Sequence, residues 1–271
     1  TKATYKLLVL VGDSYQIASI RFGNWFSVAR AFVPETSVFE LVKPYRSKNV
    51  GLLTLWSRVR KMDDTILELI TRQGYSARLD DSIFAPAEAD EIILCLNYDG
   101  LYGINNINRF LQESNPSIAV PWGIQHYKVN DPILFNESDR FAPVIYNNMK
   151  GQIVGINIID SEKPTEHIQF DIELDKVING VDAFGQDFEL LGSTESGNSV
   201  IRFCVNKTKS SDEDDDESSK AIVPFQVAYA VSIHKAQGLE YSSVKIVITD
   251  EVDELITHNI FYTAITRARN K

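Results

Sequence analysis

The sequence predicts an α/β protein whose parallel sheet is interrupted by a small antiparallel β-barrel. Strand-like and helix-like segments alternate over residues 50–122 and again over residues 225–271, which is typical of a parallel sheet covered by helices. Between them, over residues 126–220, short strand-like runs alternate with turn residues, as in a small antiparallel barrel. The antiparallel stretch is therefore predicted to be an insertion into the α/β part.

Hydrophobic spacing places the elements of the α/β part. Apolar residues three or four positions apart predict helices, and short apolar runs bounded by turn residues predict buried strands. The predicted helices cover residues 52–62, 66–73, 105–113 and 258–269, with a polar helix start at 232–238. The predicted strands cover residues 7–11, 38–41, 92–96, 225–231 and 244–248. The first of these strands is predicted to be buried and to end sharply at Gly12 and Asp13.

The insertion is predicted from five strand-like runs. Turn pairs such as Asn147-Asn148 and Asn179-Gly180 separate them. The runs cover residues 132–135, 152–159, 167–174, 188–191 and 200–205.

Composition is that of a globular protein without a membrane partner. Of the 271 residues, 44 % are apolar and 24 % are charged, which is ordinary for a soluble domain. The longest unbroken apolar run, residues 7–11, is far shorter than the roughly 20 residues of a membrane-spanning helix. Cys95 and Cys204 are too few for a disulfide framework, so we expect reduced, buried thiols in a cytoplasmic protein.

The negative charge is concentrated in one place. The formal net charge is -10, which argues against nucleic acid as a partner. Six acidic residues in a row, residues 212–217, make up much of it, and such a run repels itself and is typical of a flexible loop. A local groove for a phosphate backbone stays compatible with the rest, because phosphate contacts depend on where lysines and arginines lie.

Two blocks near the end of the sequence form its most specific pattern. Residues 230–240 read Ala-Val-Ser-Ile-His-Lys-Ala-Gln-Gly-Leu-Glu, and residues 261–269 read Phe-Tyr-Thr-Ala-Ile-Thr-Arg-Ala-Arg. They resemble motifs V and VI of superfamily 1 helicases, and the His-Lys-x-Gln-Gly form is similar to the RecD-like branch. Earlier in the chain, residues 11–17 (Val-Gly-Asp-Ser-Tyr-Gln-Ile) resemble motif III, and Tyr45-Arg46-Ser47 resembles motif IV.

The resemblance implies a domain organisation. Residues 1–30 would be the end of a first RecA-like domain. Residues 31–125 and 223–271 would form a second RecA-like domain, of the P-loop NTPase type. Residues 126–222 resemble the SH3-like domain inserted in these enzymes, and they would include an acidic loop at 210–220.

The resemblance implies three catalytic residues. Gln16 would sense or position the γ-phosphate of ATP. Arg46 and Arg267 would neutralise the charge that spreads over the γ-phosphate oxygens in the transition state, as arginine fingers do. Arg269 is predicted to face elsewhere, since it lies only two positions further along the same predicted helix.

Four further residues are implied to bind the nucleotide. Gly12 and Asp13 belong to the motif that ends in Gln16. Gly238 would let a backbone N–H approach a phosphate because it has no Cβ. Glu240 would accept a hydrogen bond from the ribose.

DNA contact is implied for the start of the motif V block. Ser232, His234 and Lys235 lie where the family grips a single-stranded backbone. A helix beginning there would add N–H donors and a favourable dipole. The implied partners are single-stranded DNA and ATP, with Mg²⁺ as the cofactor in the complete protein and no metal ligand in this chain.

Two expected motifs do not occur in the sequence. No G-x-x-x-x-G-K-[ST] is present, and no acidic motif of the kind that holds Mg²⁺ precedes residue 11. Residues 245–251, which end in Asp250 and Glu251, imitate that acidic motif, but they lie where the family has a structural strand. The sequence starts just before motif III and stops three residues after Ala268, so we expect a piece of a longer protein whose N-terminal RecA-like domain is its partner.

These observations leave one main hypothesis and two alternatives. The main hypothesis is the C-terminal part of an ATP-dependent DNA helicase that moves 5′ to 3′ on single strands. One alternative is a scaffold that binds DNA or protein without catalysis, and a P-loop upstream of residue 1 would argue against it. The other is a metal-dependent nuclease built on Asp250 and Glu251, which requires further carboxylates nearby.

We expect that deleting residues 212–217 strengthens DNA binding, because six negative charges close to a DNA path repel its phosphates. Titration of a fluorescent single strand at low salt, where charges are least screened, measures the change. Equal affinities for the deleted and the intact protein at low salt would contradict the expectation.

Overall fold

The computed structural model describes residues 6–18, 25–85, 90–136, 139–159, 167–206, 221–250 and 255–271. The chain divides into two compact units. Unit 1 is formed by Thr1–Asn97 with Ser232–Lys271, and unit 2 by Tyr98–Val231. The domain boundaries drawn from the family resemblance stay a prediction, and the acidic run at 212–217 lies outside the described residues.

Unit 1 contains both helices and strands, whereas strands dominate unit 2. The helices are α1 (Trp25–Phe32), α2 (Val50–Arg60), α3 (Ile66–Arg72), α4 (Ile104–Ser114), α5 (Gly180–Ala183) and α6 (His258–Ile265). The strands are β1 (Glu91–Cys95), β2 (Val120–Trp122), β3 (Gln125–Tyr127), β4 (Pro132–Phe135), β5 (Lys150–Ile159), β6 (His167–Leu174), β7 (Glu189–Ser193), β8 (Ser199–Asn206), β9 (Phe225–Val227), β10 (Ala230–Ser232) and β11 (Ser243–Ile246). Within the described part of the chain, no helix has the length and apolar character needed to cross a membrane.

Strands β1 and β11 of unit 1 belong to a sheet with the strand order β10-β1-β11. Strands β1 and β11 run parallel, with Glu91 opposite Ser243 and Leu94 opposite Ile246. Four of the five β1 residues are buried, as is expected of a parallel strand covered on both faces. The predicted α/β fold with a parallel sheet is thereby confirmed.

Helices α2, α3 and α6 share the hydrophobic core of unit 1. Asn49 begins α2, because its side-chain oxygen accepts hydrogen bonds from the backbone N–H groups of Gly51 and Leu52. Trp56 lies on the buried face of α2, and its indole N–H donates to the carbonyl of Ile265, 3.0 Å away, at the end of α6. This contact joins two elements that are 209 residues apart in sequence.

Two predicted strands of unit 1 are wrong. Residues 7–11 form no strand, and their side chains are 45–88 % exposed. Residues 38–41 also lack strand structure, and Phe39 and Leu41 are exposed. An apolar run becomes a buried strand only when neighbouring strands satisfy its backbone groups, and neither run pairs with a strand among the described residues.

Three predicted elements near the end of the sequence are shorter than expected. The predicted strand at 225–231 is divided into β9 and β10, which belong to two different sheets. The predicted helix at 258–269 ends at Ile265, so Arg267 and Arg269 lie beyond it. The predicted helix start at 232–238 is a hydrogen-bonded turn, which ends at Gly238 with φ +88°.

Unit 2 contains a six-stranded antiparallel sheet with the order β7-β8-β6-β5-β4-β9. All five strands predicted for the insertion are present. No pairing among the described residues joins β7 to β9, so the predicted closed barrel is not confirmed. Buried aromatic rings fill the core in edge-to-face contacts, for example Phe170 against Tyr127 at 5.2 Å and against Phe225 at 5.0 Å between ring centroids.

A buried carboxylate organises the polar interior of unit 2. Asp131 is fully buried, and it accepts hydrogen bonds from four donors. The donors are the side-chain amides of Gln112 and Asn115, the backbone N–H of Lys128 and the hydroxyl of Tyr229. Burial, followed by the charge of Asp131, raises the pKa of Tyr229, so its hydroxyl stays protonated and continues to donate.

The two cysteines are free thiols, and only Cys95 is fully buried. Cys204 is half-buried, so the predicted burial is wrong for this residue; every second side chain of β8 faces away from the core, and Cys204 is one of them. Burial raises the pKa of the Cys95 thiol to about 12.

We expect a thiol reagent at pH 8 to modify Cys204 of the native protein rapidly and Cys95 only after denaturation, because the thiolate is the reactive form and Cys95 lacks both access and ionisation. Counting modified thiols by mass spectrometry, with Cys204→Ser as the control, measures this. Rapid labelling of native Cys204→Ser would refute the prediction.

Candidate functional site

The Asp13–Ile17 segment forms a compact turn that carries Gln16. The side chain of Asp13 accepts a hydrogen bond from the backbone N–H of Tyr15 at 3.0 Å. Its second oxygen accepts from the side-chain amide of Gln16 at 3.1 Å. The two residues predicted to act on the nucleotide from this segment are therefore bonded to each other.

The same segment is held by residues that sequence reasoning missed. Asn259 and Thr263 of α6 and Gln237 of the motif V block bond its backbone. No pattern in the sequence marks Asn259 or Gln237 as partners of Ile17 and Gln16, since these contacts span 220 to 246 residues.

The segment around Arg46 lies along the residues that follow α6. A guanidinium N–H of Arg46 donates to the carbonyl of Thr266, and the hydroxyl of Ser47 donates to the carbonyl of Arg269. The side-chain amide of Asn49 donates to the carbonyl of Asn270 at 2.8 Å. The sequence could have indicated Asn49 as the N-terminal cap of α2. It could not have indicated the hydrogen bond of Asn49 to Asn270.

Arg46 and Glu240 form an ion pair. The Nε of Arg46 lies 2.8 Å from Oε1 of Glu240, and the side chains are 25 % and 44 % exposed. The exposure leaves this pair open to competition from another anion. The carboxylate that was predicted to bind ribose therefore also balances the charge of a predicted arginine finger.

Arg267 is buried, with 1 % of its surface exposed. Its guanidinium donates to the carbonyls of Thr263 at 2.9 Å and Leu239 at 3.2 Å and to the hydroxyl of Thr266 at 3.0 Å. These three acceptors are neutral, and no carboxylate of the described residues bonds Arg267 directly.

The environment lowers the pKa of Arg267 to about 10. Burial is the main cause, and the positive charge of Arg46 is the second. The charges of Glu240, Tyr262 and Asp13 act in the opposite direction. Arg267 therefore stays protonated at neutral pH.

Backbone hydrogen bonds join the ends of the two motif blocks. The N–H of Tyr241 donates to the carbonyl of Arg267 at 3.0 Å, and the N–H of Arg269 donates to the carbonyl of Tyr241 at 2.8 Å. This parallel bridge is why Glu240 and Arg267 lie side by side.

The two glycines of the predicted site differ in their surroundings. At Gly238 an added Cβ would meet nothing within 4 Å, but φ is +88°, a conformation that side chains make unfavourable by about 1–2 kcal/mol. At Gly12 an added Cβ would lie 2.7 Å from the ring of Phe26. Backbone conformation explains the first glycine and close packing explains the second.

The predicted DNA contacts lie on a single turn instead of a helix. The N–H of Ala236 donates to the carbonyl of Ser232 at 3.1 Å, and the N–H of Lys235 to its hydroxyl at 3.3 Å. Ser232 is buried, His234 is exposed and Lys235 is half-buried. Because the turn ends at Gly238, the expected helix dipole has no counterpart in the structure.

Two residues that were given no role in the predicted site, Arg269 and Asp250, are also described by the structure. Arg269 pairs with Asp90 at 2.9 Å, outside the Arg46 cluster. Asp250 is exposed, and Glu251 lies outside the described residues. In the described part of the chain, no group of three or more His, Cys, Asp or Glu side chains is arranged to hold a metal ion.

The structure brings together Asp13, Gln16, Arg46, Glu240 and Arg267 in unit 1. Gly12 and Gly238 lie in the adjoining backbone segments.

Comparison with known proteins finds relatives among helicases. Residues 227–271 match the UvrD-like helicase C-terminal domain family. The RecD subunit of the RecBCD enzyme from Buchnera aphidicola subsp. Schizaphis graminum is 24 % identical over 243 residues, which are 88 % of this chain and 34 % of that protein. The chain is similar to RecD-like and UvrD-like helicases.

Two further similarities are to a second RecD subunit and to a solved helicase structure. The RecD subunit from Mycolicibacterium smegmatis is 37 % identical over 50 residues, 18 % of this RecD-like chain and 9 % of that protein. A solved structure of Pif1 helicase from Bacteroides in complex with ADP-AlF3 and ssDNA is 15 % identical, covers 96 % of this chain and 59 % of that chain, and gives a TM-score of 0.49. The RecD-like chain spans about a third of the length of the Buchnera relative.

Proposed function

We propose that this RecD-like chain is the part of an ATP-dependent DNA translocase that senses the γ-phosphate and neutralises its charge. The observation that carries the proposal is that Arg46 pairs with Glu240 beside Arg267, while α6 bonds both Arg267 and the backbone of Gln16. These residues come from three distant segments, so local structure alone does not explain their proximity. The Pif1 helicase from Bacteroides was solved in complex with ADP-AlF3 and ssDNA.

The charges of Arg46, Arg267 and Glu240 suit a site of phosphoryl transfer. Negative charge develops over the phosphoryl oxygens, and a positioned arginine stabilises it. Arg46 is partly exposed and paired with Glu240, so an incoming phosphate can compete for its guanidinium. Among the described residues the acceptors of Arg267 are all neutral, so an anion that reaches it would relieve an unfavourable buried charge.

DNA contact is assigned to Ser232, His234 and Lys235. His234 is exposed beside a half-buried Lys235, and a cation with exposed polar atoms can bind a phosphate backbone without reading sequence. Movement from 5′ to 3′ and a cytoplasmic location are part of the proposal and rest on the RecD-like family.

The exposed apolar run at residues 7–11 supports an N-terminal RecA-like domain as a partner. Five consecutive apolar side chains in water are unfavourable, and a sheet that adds this run as a strand would bury them. The six-stranded antiparallel sheet of unit 2 also supports the proposed SH3-like insertion at about 126–222.

The described residues do not fit a Mg²⁺ site. Mg²⁺ bound to nucleotide usually needs one or two positioned carboxylates, and the carboxylates of this cluster, Asp13 and Glu240, are bonded to Gln16 and Arg46. We therefore assign no metal-holding role to this chain. The phosphate cradle and metal-holding acid are proposed to come from the N-terminal domain.

We expect residues 1–271 alone to show no ATP hydrolysis with or without single-stranded DNA, and the full-length protein to show hydrolysis that DNA stimulates. A coupled phosphate-release assay on both proteins measures this. DNA-stimulated hydrolysis by residues 1–271 would overturn the assignment of the phosphate cradle to the N-terminal domain. Absence of hydrolysis by the full-length protein, with DNA binding retained, would favour the scaffold alternative.

A further inference from the structure

The turn that carries Gln16 is held by two neighbouring faces of helix α6. On the first face lie His258 and Tyr262, four residues apart and therefore stacked along the helix. The ring of Tyr15 packs against both, with centroid distances of 6.3 Å and 6.0 Å. Arg60 lies over the same ring at 4.5 Å, so Tyr15 is packed from two elements.

On the second face lie Asn259 and Thr263, which are also four residues apart. The side-chain N–H₂ of Asn259 donates to two backbone carbonyls, those of Ser14 at 3.1 Å and Gln16 at 2.9 Å. A carboxamide nitrogen has two hydrogens, so one side chain can make both bonds. The hydroxyl of Thr263 accepts from the N–H of Ile17 at 3.0 Å. The backbone of Gln16 is thereby held on both sides.

Helix α6 also determines where Arg267 lies. The carbonyl of Thr263 accepts from Nε of Arg267 at 2.9 Å. Thr263 therefore binds the Gln16 segment through its hydroxyl and Arg267 through its carbonyl. Because an α-helix rises about 1.5 Å per residue with little freedom, Asn259 and Thr263 are kept about 6 Å apart along the axis of α6. Arg267, which follows the helix, is bonded to the carbonyl of Thr263.

We propose that Asn259 is a positioning residue, which fixes the backbone of Gln16 relative to Arg267 so that both side chains approach the γ-phosphate together. The proposal rests on the proposed function. Asn259 itself bonds only backbone carbonyls of the segment, so it acts through Gln16 and not on the substrate. Misplacing a catalytic group by about 1 Å can reduce a rate by about 10²-fold, which makes such a residue measurable.

A purely structural role for Asn259 predicts a different result. If it only stabilises the first turn of α6, its loss lowers thermal stability and leaves the turnover of folded protein unchanged. If it positions Gln16, turnover falls while the KM for ATP changes little, because the interaction of Gln16 matters most in the transition state.

The test compares Asn259→Asp with the unaltered full-length protein. Aspartate has nearly the shape of asparagine, but it can only accept hydrogen bonds when ionised, so both bonds to the carbonyls are lost. We expect kcat to fall about tenfold or more with KM within about threefold. Asn259→Ala gives a second loss of the donor, and Asn157→Ala, which removes a carboxamide from β5 in unit 2, is the matched control with unchanged kcat.

Hydrogen–deuterium exchange on residues 1–271 tests the clamp without requiring catalysis. In both Asn259 variants, amide exchange in residues 13–17 is expected to rise about tenfold while α2 and β1 stay protected. Normal kcat in Asn259→Asp, with the full-length protein active, overturns the inference alone. An unaltered full-length protein that does not hydrolyse ATP overturns the proposed function, and unchanged exchange at residues 13–17 overturns the clamp itself.

Discussion

Replacing Arg267 by methionine is expected to leave the fold intact while slowing ATP hydrolysis by the full-length protein about 10³-fold or more, the range over which arginine fingers act. Methionine nearly fills the volume of the arginine side chain without its charge. Arg267 is 1 % exposed and bonded to neutral oxygens, so its charge is unfavourable in the fold. Replacing buried charges by apolar groups of similar size is often neutral for stability, at the cost here of unbonded carbonyls on Thr263 and Leu239.

The pH dependence of stability follows from the same burial. The pKa of Arg267 is lowered in the folded chain to about 10, below its ordinary value of 12.5. The folded state therefore disfavours the charged form, and this cost is present at every pH below about 10 and is relieved only as the pH rises above that value. Between pH 7 and 9 the activity of the protein should show no step due to Arg267.

Arg269→Met is the matched control. Arg269 lies two residues further on and pairs with Asp90 at the surface, where an ion pair contributes little. We expect near-normal turnover from this variant. Circular dichroism and thermal melting of both variants separate loss of fold from loss of function. Equal turnover of Arg267→Met and the unaltered protein would rule out Arg267 as a finger.

Replacing Asp131 by alanine is expected to lower the free energy of unfolding by about 3–5 kcal/mol, because removing one partner from a buried charged network leaves the others unsatisfied. The four donors that converge on Asp131 come from α4, from the turn before β4 and from the segment between β9 and β10. Three parts of unit 2 would lose their common acceptor together.

Urea denaturation of residues 1–271, followed by tryptophan fluorescence, to which Trp122 of unit 2 contributes, and by circular dichroism, measures the change. Asp131→Asn keeps one acceptor oxygen and the side-chain volume, so it should lie between alanine and the unaltered chain, and it remains informative if the alanine variant does not fold. Asp175→Ala, whose carboxylate pairs with Lys150 at 3.2 Å and is largely exposed, is the control with little effect. An Asp131→Ala midpoint equal to that of Asp175→Ala would show that the network is not a major support.

Elements whose hydrophobic pattern is local were predicted well. The helices at 52–62 and 66–73 and the strand at 92–96 all occur, with ends shifted by a residue or two. The helices are marked by apolar residues three or four positions apart, and the strand is marked by an unbroken apolar run. Both patterns are visible from neighbouring residues in the sequence. The five strands of the insertion were found for the same reason, because turn residues bound each of them.

Elements whose stability depends on a partner were predicted poorly. Residues 7–11 have the composition of a buried strand, yet they lie exposed without a neighbouring strand among the described residues. The turn at 232–238 has the composition of a helix start, but the positive φ of Gly238 ends it after one turn. Composition did not indicate whether Gly238 would continue a helix start or end the turn.

The sequence by itself determined the alternation of strands and helices and the order of the motif residues Gln16, Arg46, Glu240 and Arg267. Only the tertiary structure decided that Arg46 pairs with Glu240 across 194 residues and that Asn259 holds the backbone of Gln16 across 243. Periodicity is a property of neighbours along the chain. A hydrogen bond depends on the distance and direction between two atoms, and for residues so far apart in sequence these arise only when the whole unit has folded.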